Sequence, residues 1–449
     1  DTMNRILPRT ALASTLVLGA LALPSSYAET KPDEAIASET RSVAPFTALA
    51  VSGPFRVIIT GQGNQAVELS GPKKQMAEIE TVVSGDTLTV RQPRKKGWTI
   101  NLGFGKSKAP LTVYIHAANL KSITNSGSGD VDLQQYQGQQ LSLTNNGAGD
   151  LRATGSVREL TVQASGSGDL DLRQLKATSL NVQLNGPGDV SASGVSQELN
   201  AEVNGSGDLH ISDVHALKVS AVLHGPGALK LDGSSKELRA EVSGSGDLSA
   251  CALAVEAASA ILRGPGNACI AGSIKKFDAE VHGSGDLTVR GLQAPTIRAL
   301  LSGPGNMTLS GSGGTLSAEL SGSGDLDAKG LQLGRAVTRS HGPGNIYLSK
   351  VSEALEADLS GSGDLSASAD CKNVKLTMSG PGEVKLDGKV DSLNARLSGS
   401  GNLNARALWA SQADVVVRGP GNAVLNVKAR ADQSRLVTFE RSGMHERDN

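Results

Sequence analysis

Ser126-Gly127-Ser128-Gly129-Asp130 opens a series of sixteen five-residue turns, the last of which is Arg418-Gly419-Pro420-Gly421-Asn422. The fifth residue falls at 130, 150, 169, 189, 208, 228, 247, 267, 286, 306, 325, 345, 364, 383, 402 and 422. A near-constant step of roughly 19–20 residues marks a solenoid, in which each repeat buries its apolar face only by stacking on its neighbours. The turn centre alternates between Gly-Ser-Gly and Gly-Pro-Gly, so Gly127, Gly166 and Gly205 recur at every second turn and Gly186, Gly225 and Gly264 interleave. Ala148 stands in for the proline at Gly147. The unit is therefore a pair of repeats. Either coils alternate along a stack, or one 39-residue coil carries two turns.

Around the turns the pattern has a period of two. Leu199, Ala201 and Val203 alternate with polar residues before Asn204–Asp208, and Leu209 and Ile211 follow. The frame recurs at Leu238, Ala240 and Val242 and at Leu355, Ala357 and Leu359. Period two predicts strands and excludes amphipathic helices. Each repeat reads as a strand of about five residues, a glycine turn, a short strand and a loop. The turn glycines are expected to hold backbone angles closed to other residues. Proline between them requires a dispensable amide. Sixteen coils stacked about 4.8 Å apart make a rod of roughly 75 Å. Ala336, Thr338 and Ser340 place small or polar residues in the inward frame, so that coil is expected to be the weakest. The predicted fold is all-β, a right-handed β-helix-like solenoid of about sixteen 19–20-residue repeats.

Outside the repeats the chain divides by composition. Met3-Asn4-Arg5 and Arg9 precede an apolar run from Ala11 to Leu23 that ends at Ser26-Tyr27-Ala28. This is the pattern of a secretory signal peptide spanning 1–28. It predicts export, to the periplasm or cell surface of a Gram-negative bacterium. No later stretch is long and apolar enough to cross a bilayer as a helix, so no transmembrane segment is expected after cleavage. Residues 29–42 read as a linker. Residues 43–122 read as an irregular β region that caps the solenoid, with strands at 46–52, 55–60, 66–70, 79–83, 87–91 and 111–115. Repeats occupy 123–430, and 431–449 form a polar tail. The net charge is −1, which argues against nucleic-acid partners. Cys251, Cys269 and Cys371 are too few for a disulfide framework. A bridge between Cys251 and Cys269, in adjacent repeats, stays open.

The opening Phe46-Thr47-Ala48-Leu49-Ala50-Val51-Ser52-Gly53-Pro54-Phe55-Arg56-Val57 resembles the start of the auto-transporter adhesin head family called the GIN domain. Ile79–Val90 and the Leu120-Lys121-Ser122-Ile123 entry into the first turn share the resemblance. It covers roughly residues 43 to 430. It implies a right-handed β-helix-like superhelix and a role in surface adhesion, with no catalytic residues to carry over. The closing Met444-His445-Glu446-Arg447-Asp448-Asn449 departs from the membrane β-barrel that ends an autotransporter.

Several residue sets are candidates for function. Asp130, Asp150, Asp169, Asp189 and Asp208 stack as a column of like charges, which a cation such as Ca²⁺ would relieve. The alternative is that each Asp caps its own turn, and Asn267, Asn306 and Asn345 in later turns favour it. No other cofactor is implied. Lys95 and Lys96 lie near Trp98 and Phe104, a segment suited to a glycan, lipid headgroup or protein partner, or else a solvated hairpin. His224, His282 and His341 lie three repeats apart, too far for one metal ion. Glu202, Glu241, Glu280 and Glu319 form an outward acid row with no facing partner, unlike a glycosidase pair. Val222, Ile261 and Leu300 occupy the equivalent outward positions of the other repeats. They would form an apolar stripe along the rod, covered by a sheet in a 39-residue coil or free for a partner in a shorter one. Aromatics make up 2% of the chain, too few for broad stacking platforms. No nucleophile, base and orienter gather. These features indicate an exported, non-enzymatic solenoid that contacts a glycan or protein of the cell envelope. A carbohydrate-active enzyme on a β-helix and a structural periplasmic spacer are the alternatives.

Overall fold

The computed structural model describes residues 36–93, 111–427 and 437–442. The stretch 1–28, read from the sequence as a signal peptide, and the segment holding Lys95, Lys96, Trp98 and Phe104 lie outside the described residues. The described chain is a β-solenoid of about 15 turns. Among its first coils are β9 (Val131–Asn145), β10 (Leu151–Ala164) and β11 (Leu170–Leu184). Leu151 pairs with Leu170 in parallel, and Leu170 with Val190. Each glycine-turn repeat thus closes one coil, and the longer period belongs to an alternating pattern of two coils.

Burial explains the alternation. In β11 the buried residues run Leu170, Leu172, then Leu175, Ala177, then Leu180, Val182 and Leu184. Steps of two make straight inward-facing runs, and the steps of three between them mark corners. In β10 the middle run shrinks to Val157, between Ala153 and Leu160. The shorter coils save one residue at a left-handed corner. Gly155 there has φ 132°, and Gly194, Gly233, Gly272 and Gly311 repeat a positive φ at every second coil. Glycine suits this position because L side chains are strained there. Two features of the predicted repeat need correcting. Among the described repeats the predicted loop is replaced by strand that runs from one turn to the next, broken only by bulges such as the one between Arg152 and Thr154 and by the gap at Gly194.

The second correction concerns the turn glycines. Of those in the sixteen turns, Gly419 alone has positive φ. The others are required by stacking. A Cβ on Gly244 would lie 2.2 Å from the Gly225 carbonyl oxygen, and one on Gly246 1.9 Å from that of Gly227. The bare backbones approach so closely because Gly244 N–H donates to Leu223 O and Gly246 N–H to Gly225 O. The ladder therefore passes through the glycine amides, which is why proline is tolerated between them.

The first edge of the stack is closed by eight shorter strands, two of which, β4 and β5, run against the rest. They are β1 (Ile36–Arg41), β2 (Ala48–Ser52), β3 (Arg56–Thr60), β4 (Ala66–Pro72), β5 (Glu80–Ser84), β6 (Thr87–Arg91), β7 (Thr112–His116) and β8 (Ser122–Asn125). β2 lies parallel between β6 and β8. β3 lies parallel between β7 and β9. β4 then runs antiparallel to β7 and β1, and β5 antiparallel to β6. Ile36–Arg41 therefore belongs to a strand, not to a linker: it pairs along the whole of its length with β4 and hides part of that edge. Val437–Ser442, within the stretch read as a polar tail, is likewise a strand, and it pairs in parallel with Asn402–Arg418.

A pair of buried hydroxyls and a disulfide interrupt the regular pattern of the coils. Thr338 and Ser340 are 1% exposed, and neither hydroxyl has a hydrogen-bond partner among the described residues. Cys251 and Cys269, on the adjacent strands Leu248–Leu262 and Ala268–Val281, form a disulfide with a Cα–Cα distance of 5.3 Å. Composition alone leaves that bridge open. Cys371 is buried and free.

Candidate functional site

The turn column is built coil upon coil. Asp130 Oδ1 accepts the Asp150 amide at 3.0 Å, Asp150 that of Asp169 at 2.9 Å, Asp169 that of Asp189 at 2.9 Å and Asp189 that of Asp208 at 2.8 Å. Asp208 Oδ1 accepts the Ala228 amide. Asn267 and Asn306 serve the same purpose for Asp286 and Asp325. The side chain thus caps the next coil rather than its own turn, and a neutral amide does so as well as a carboxylate. Among the described residues no three His, Cys, Asp or Glu side chains gather so that they could hold a metal ion.

Three of the four acids in the row are held by local partners. Glu202 accepts from Gln183 Nε2 at 2.9 Å and Asn204 Nδ2 at 2.8 Å, and these bonds hold its carboxyl below the usual range. Glu241 pairs with Arg263 at 2.6 Å, and Glu280 meets His282 at 3.0 Å. His224, His282 and His341 each hydrogen-bond a serine of the next coil, Ser243, Ser302 and Ser360. Nothing in this row faces a second carboxylate across a bond-sized gap.

Val222, Ile261 and Leu300 point outward and are half-buried. The structure does not bring them together. Val222 stands between Glu202 and Glu241, Ile261 between Glu241 and Glu280, and Leu300 between Glu280 and Glu319. The expected apolar stripe is therefore an alternating acid and aliphatic column. It is not sandwiched by another layer of the same coil, because each glycine-turn repeat closes a coil by itself.

The same two outward columns read differently near the start of the rod, which the sequence argument missed. Ala48 and Ala50 lie beside Ser122 and Thr124, these beside Ser142 and Thr144, and these beside Thr161 and Gln163. Asn181 and Gln183 follow, and Thr87 and Thr89 of β6 flank the other side. Across these six strands all twelve outward positions are uncharged, whereas seven of the next fourteen, from Asn200 to Glu319, carry charge. The signal lay in the sequence as alternate uncharged residues. Only the register shows that they share one face.

A family model described as putative auto-transporter adhesin, head GIN domain, matches residues 45–213, 196–291, 271–368 and 350–435. No curated protein matches the chain. Similar solved structures include a putative lipid binding protein from Parabacteroides distasonis, 15% identical with a TM-score of 0.33, covering 65% of this chain and 96% of that one. A putative adhesin from the same organism is 16% identical with a TM-score of 0.33, covering 68% and 98%. A putative adhesin from Bacteroides fragilis is 17% identical with a TM-score of 0.24, covering 66% and 98%.

Proposed function

Because this chain belongs to the family described as putative auto-transporter adhesin, head GIN domain, we propose that it is an exported adhesin-like protein, without catalysis, that binds an envelope or cell-surface component through its repeated outer faces. The observation that carries this reading is the regular coil register, which sets outward side chains in columns at about 4.8 Å intervals along the stack. Contacts that are weak singly add along such a column without a new ordering cost for each. The Cys251–Cys269 bridge supports export, since disulfides persist in oxidising compartments. The acid row, paired with amides, an arginine and a histidine, lacks the opposed carboxylates of glycoside hydrolysis. The test is adhesion of the purified protein to whole cells and to isolated envelopes, alongside protease shaving of the native organism. Saturable binding and surface cleavage are expected. Turnover of a polysaccharide, or failure to bind any envelope fraction, would overturn the reading.

A further inference from the structure

The uncharged face formed by β6, β2, β8, β9, β10 and β11 has properties that narrow its partner. Its centre is Ser122, Thr124, Ser142, Thr144, Thr161 and Gln163, none of them buried. Five steps between strands make it about 24 Å wide. Charge stops at its margins, with Glu80 paired to Arg91 on one side and exposed Lys121 and Glu159 along the corner. Further along the rod, Glu202 begins a run in which charged residues occupy half of the equivalent positions.

A face without charge gains nothing from an ionic partner and would have to strip water from it at a cost. A protein partner needs buried aromatic, aliphatic or Arg anchors at the centre of its interface. None is present here, for the central side chains are short hydroxyls and one amide. Among the described residues, Val82 on the outer strand β5 is the exposed large apolar residue beside this face. Hydroxyls both donate and accept, as does a carboxamide through its two ends, so the matching partner offers both roles at every contact. Short side chains on a paired sheet also lose little freedom when bound. We infer that this face binds a neutral, hydroxyl-rich polysaccharide laid across the first coils, hydrogen-bonded side-on rather than stacked on aromatic rings. The inference rests on the adhesin reading above and assigns its ligand class and position.

The experiment uses the mature protein on cross-linked dextran and amylose beads, with polygalacturonate and chitosan as anionic and cationic counterparts. Retention on at least one neutral matrix is expected, and it should survive high salt because no exposed ion pair is being screened. Gln163→Glu changes charge with little change of shape, and Ser142→Glu with Thr144→Lys disturbs the centre more strongly. Both variants should keep the wild-type melting temperature and lose retention at least about tenfold, a loss of about 1.4 kcal/mol or more. Ser259→Glu with Ser317→Lys, in the same column further along, should bind as wild type. Equal retention of all variants, retention on charged matrices alone, or none on any neutral matrix would overturn the inference. So would dimerisation in sedimentation that the same variants abolish, since the face would then belong to a second copy. Whole-cell adhesion separates the levels. If adhesion persists while the beads fail, only the glycan assignment falls; if adhesion is absent, the reading beneath it falls too.

Discussion

A single hydrogen bond per turn decides what the acidic column is for. Asp208 accepts the Ala228 amide, and Asn267 does the same for Asp286. Asp208→Asn is therefore expected to leave the melting temperature within error, whereas Asp208→Ala should cost about 1 kcal/mol. A large loss in the Asn variant, restored by calcium, would return the column to a cation. Inside the coil the argument runs the other way. Thr338 and Ser340 bury hydroxyls without partners. Thr338→Val and Ser340→Ala should each raise stability, by up to about 1–3 kcal/mol in chemical denaturation, because an unmet buried hydroxyl carries a desolvation penalty. Loss of stability in both would mean that those hydroxyls are satisfied. The carboxyls of Glu202, Glu356 and Asp171 are held low, chiefly by hydrogen bonds from Gln183, Lys375 and Arg173 respectively. A depressed carboxyl adds stability above its unfolded value and loses it as pH falls through the folded one. The melting temperature is thus expected to hold above about pH 5 and to fall modestly below about 4, these groups being largely solvated. A rise in stability on acidification would contradict this sign.

At the scale of the element, the strand frame was legible because period two survives in every coil: Leu199, Ala201 and Val203 point inward as their alternation requires. What stayed hidden depends on which coil lies next. Turn glycines suggest unusual dihedrals, yet the reason at Gly246 is the Gly227 carbonyl one coil away. The corner glycines Gly155, Gly194 and Gly233 recur at a regular spacing that the sequence reading passed over, and their role emerged only with the buried pattern that shows a missing residue. The aliphatic residues Val222, Ile261 and Leu300 were correctly placed outward but not correctly joined, since register puts a glutamate between each pair. The bridge depends on a break in register, for Cys269 pairs with Ser249, and the irregularity after Ala250 brings Cys251 within reach of it from a separation of 18 residues. Closing such a loop is worth about 3 kcal/mol on a chain-entropy account. Reduction should lower the melting temperature without loss of β structure by circular dichroism; no shift would mean the bridge constrains nothing. Burial pushes the Cys371 thiol up, so it should resist alkylation at neutral pH until the coil opens.

For the whole molecule, stacking makes stability a sum of nearest-neighbour contacts, so coils need not open together. Hydrogen exchange should be fastest, among the interior coils, in Leu326–Ser340, where the inward frame holds Ala336, Thr338 and Ser340. Uniform protection along the rod would show that opening is global. Everything said of the outer faces rests on one claim, that each glycine-turn repeat makes one coil, so that columns repeat at every strand spacing. Spin labels at Ser167→Cys and Ser362→Cys, exposed turn positions ten coils apart, test it directly by electron–electron distance measurement. One coil per turn places them about 48 Å apart, from ten steps of about 4.8 Å. A distance of about 24 Å, from five such steps, would mean two turns per coil and would contradict the account.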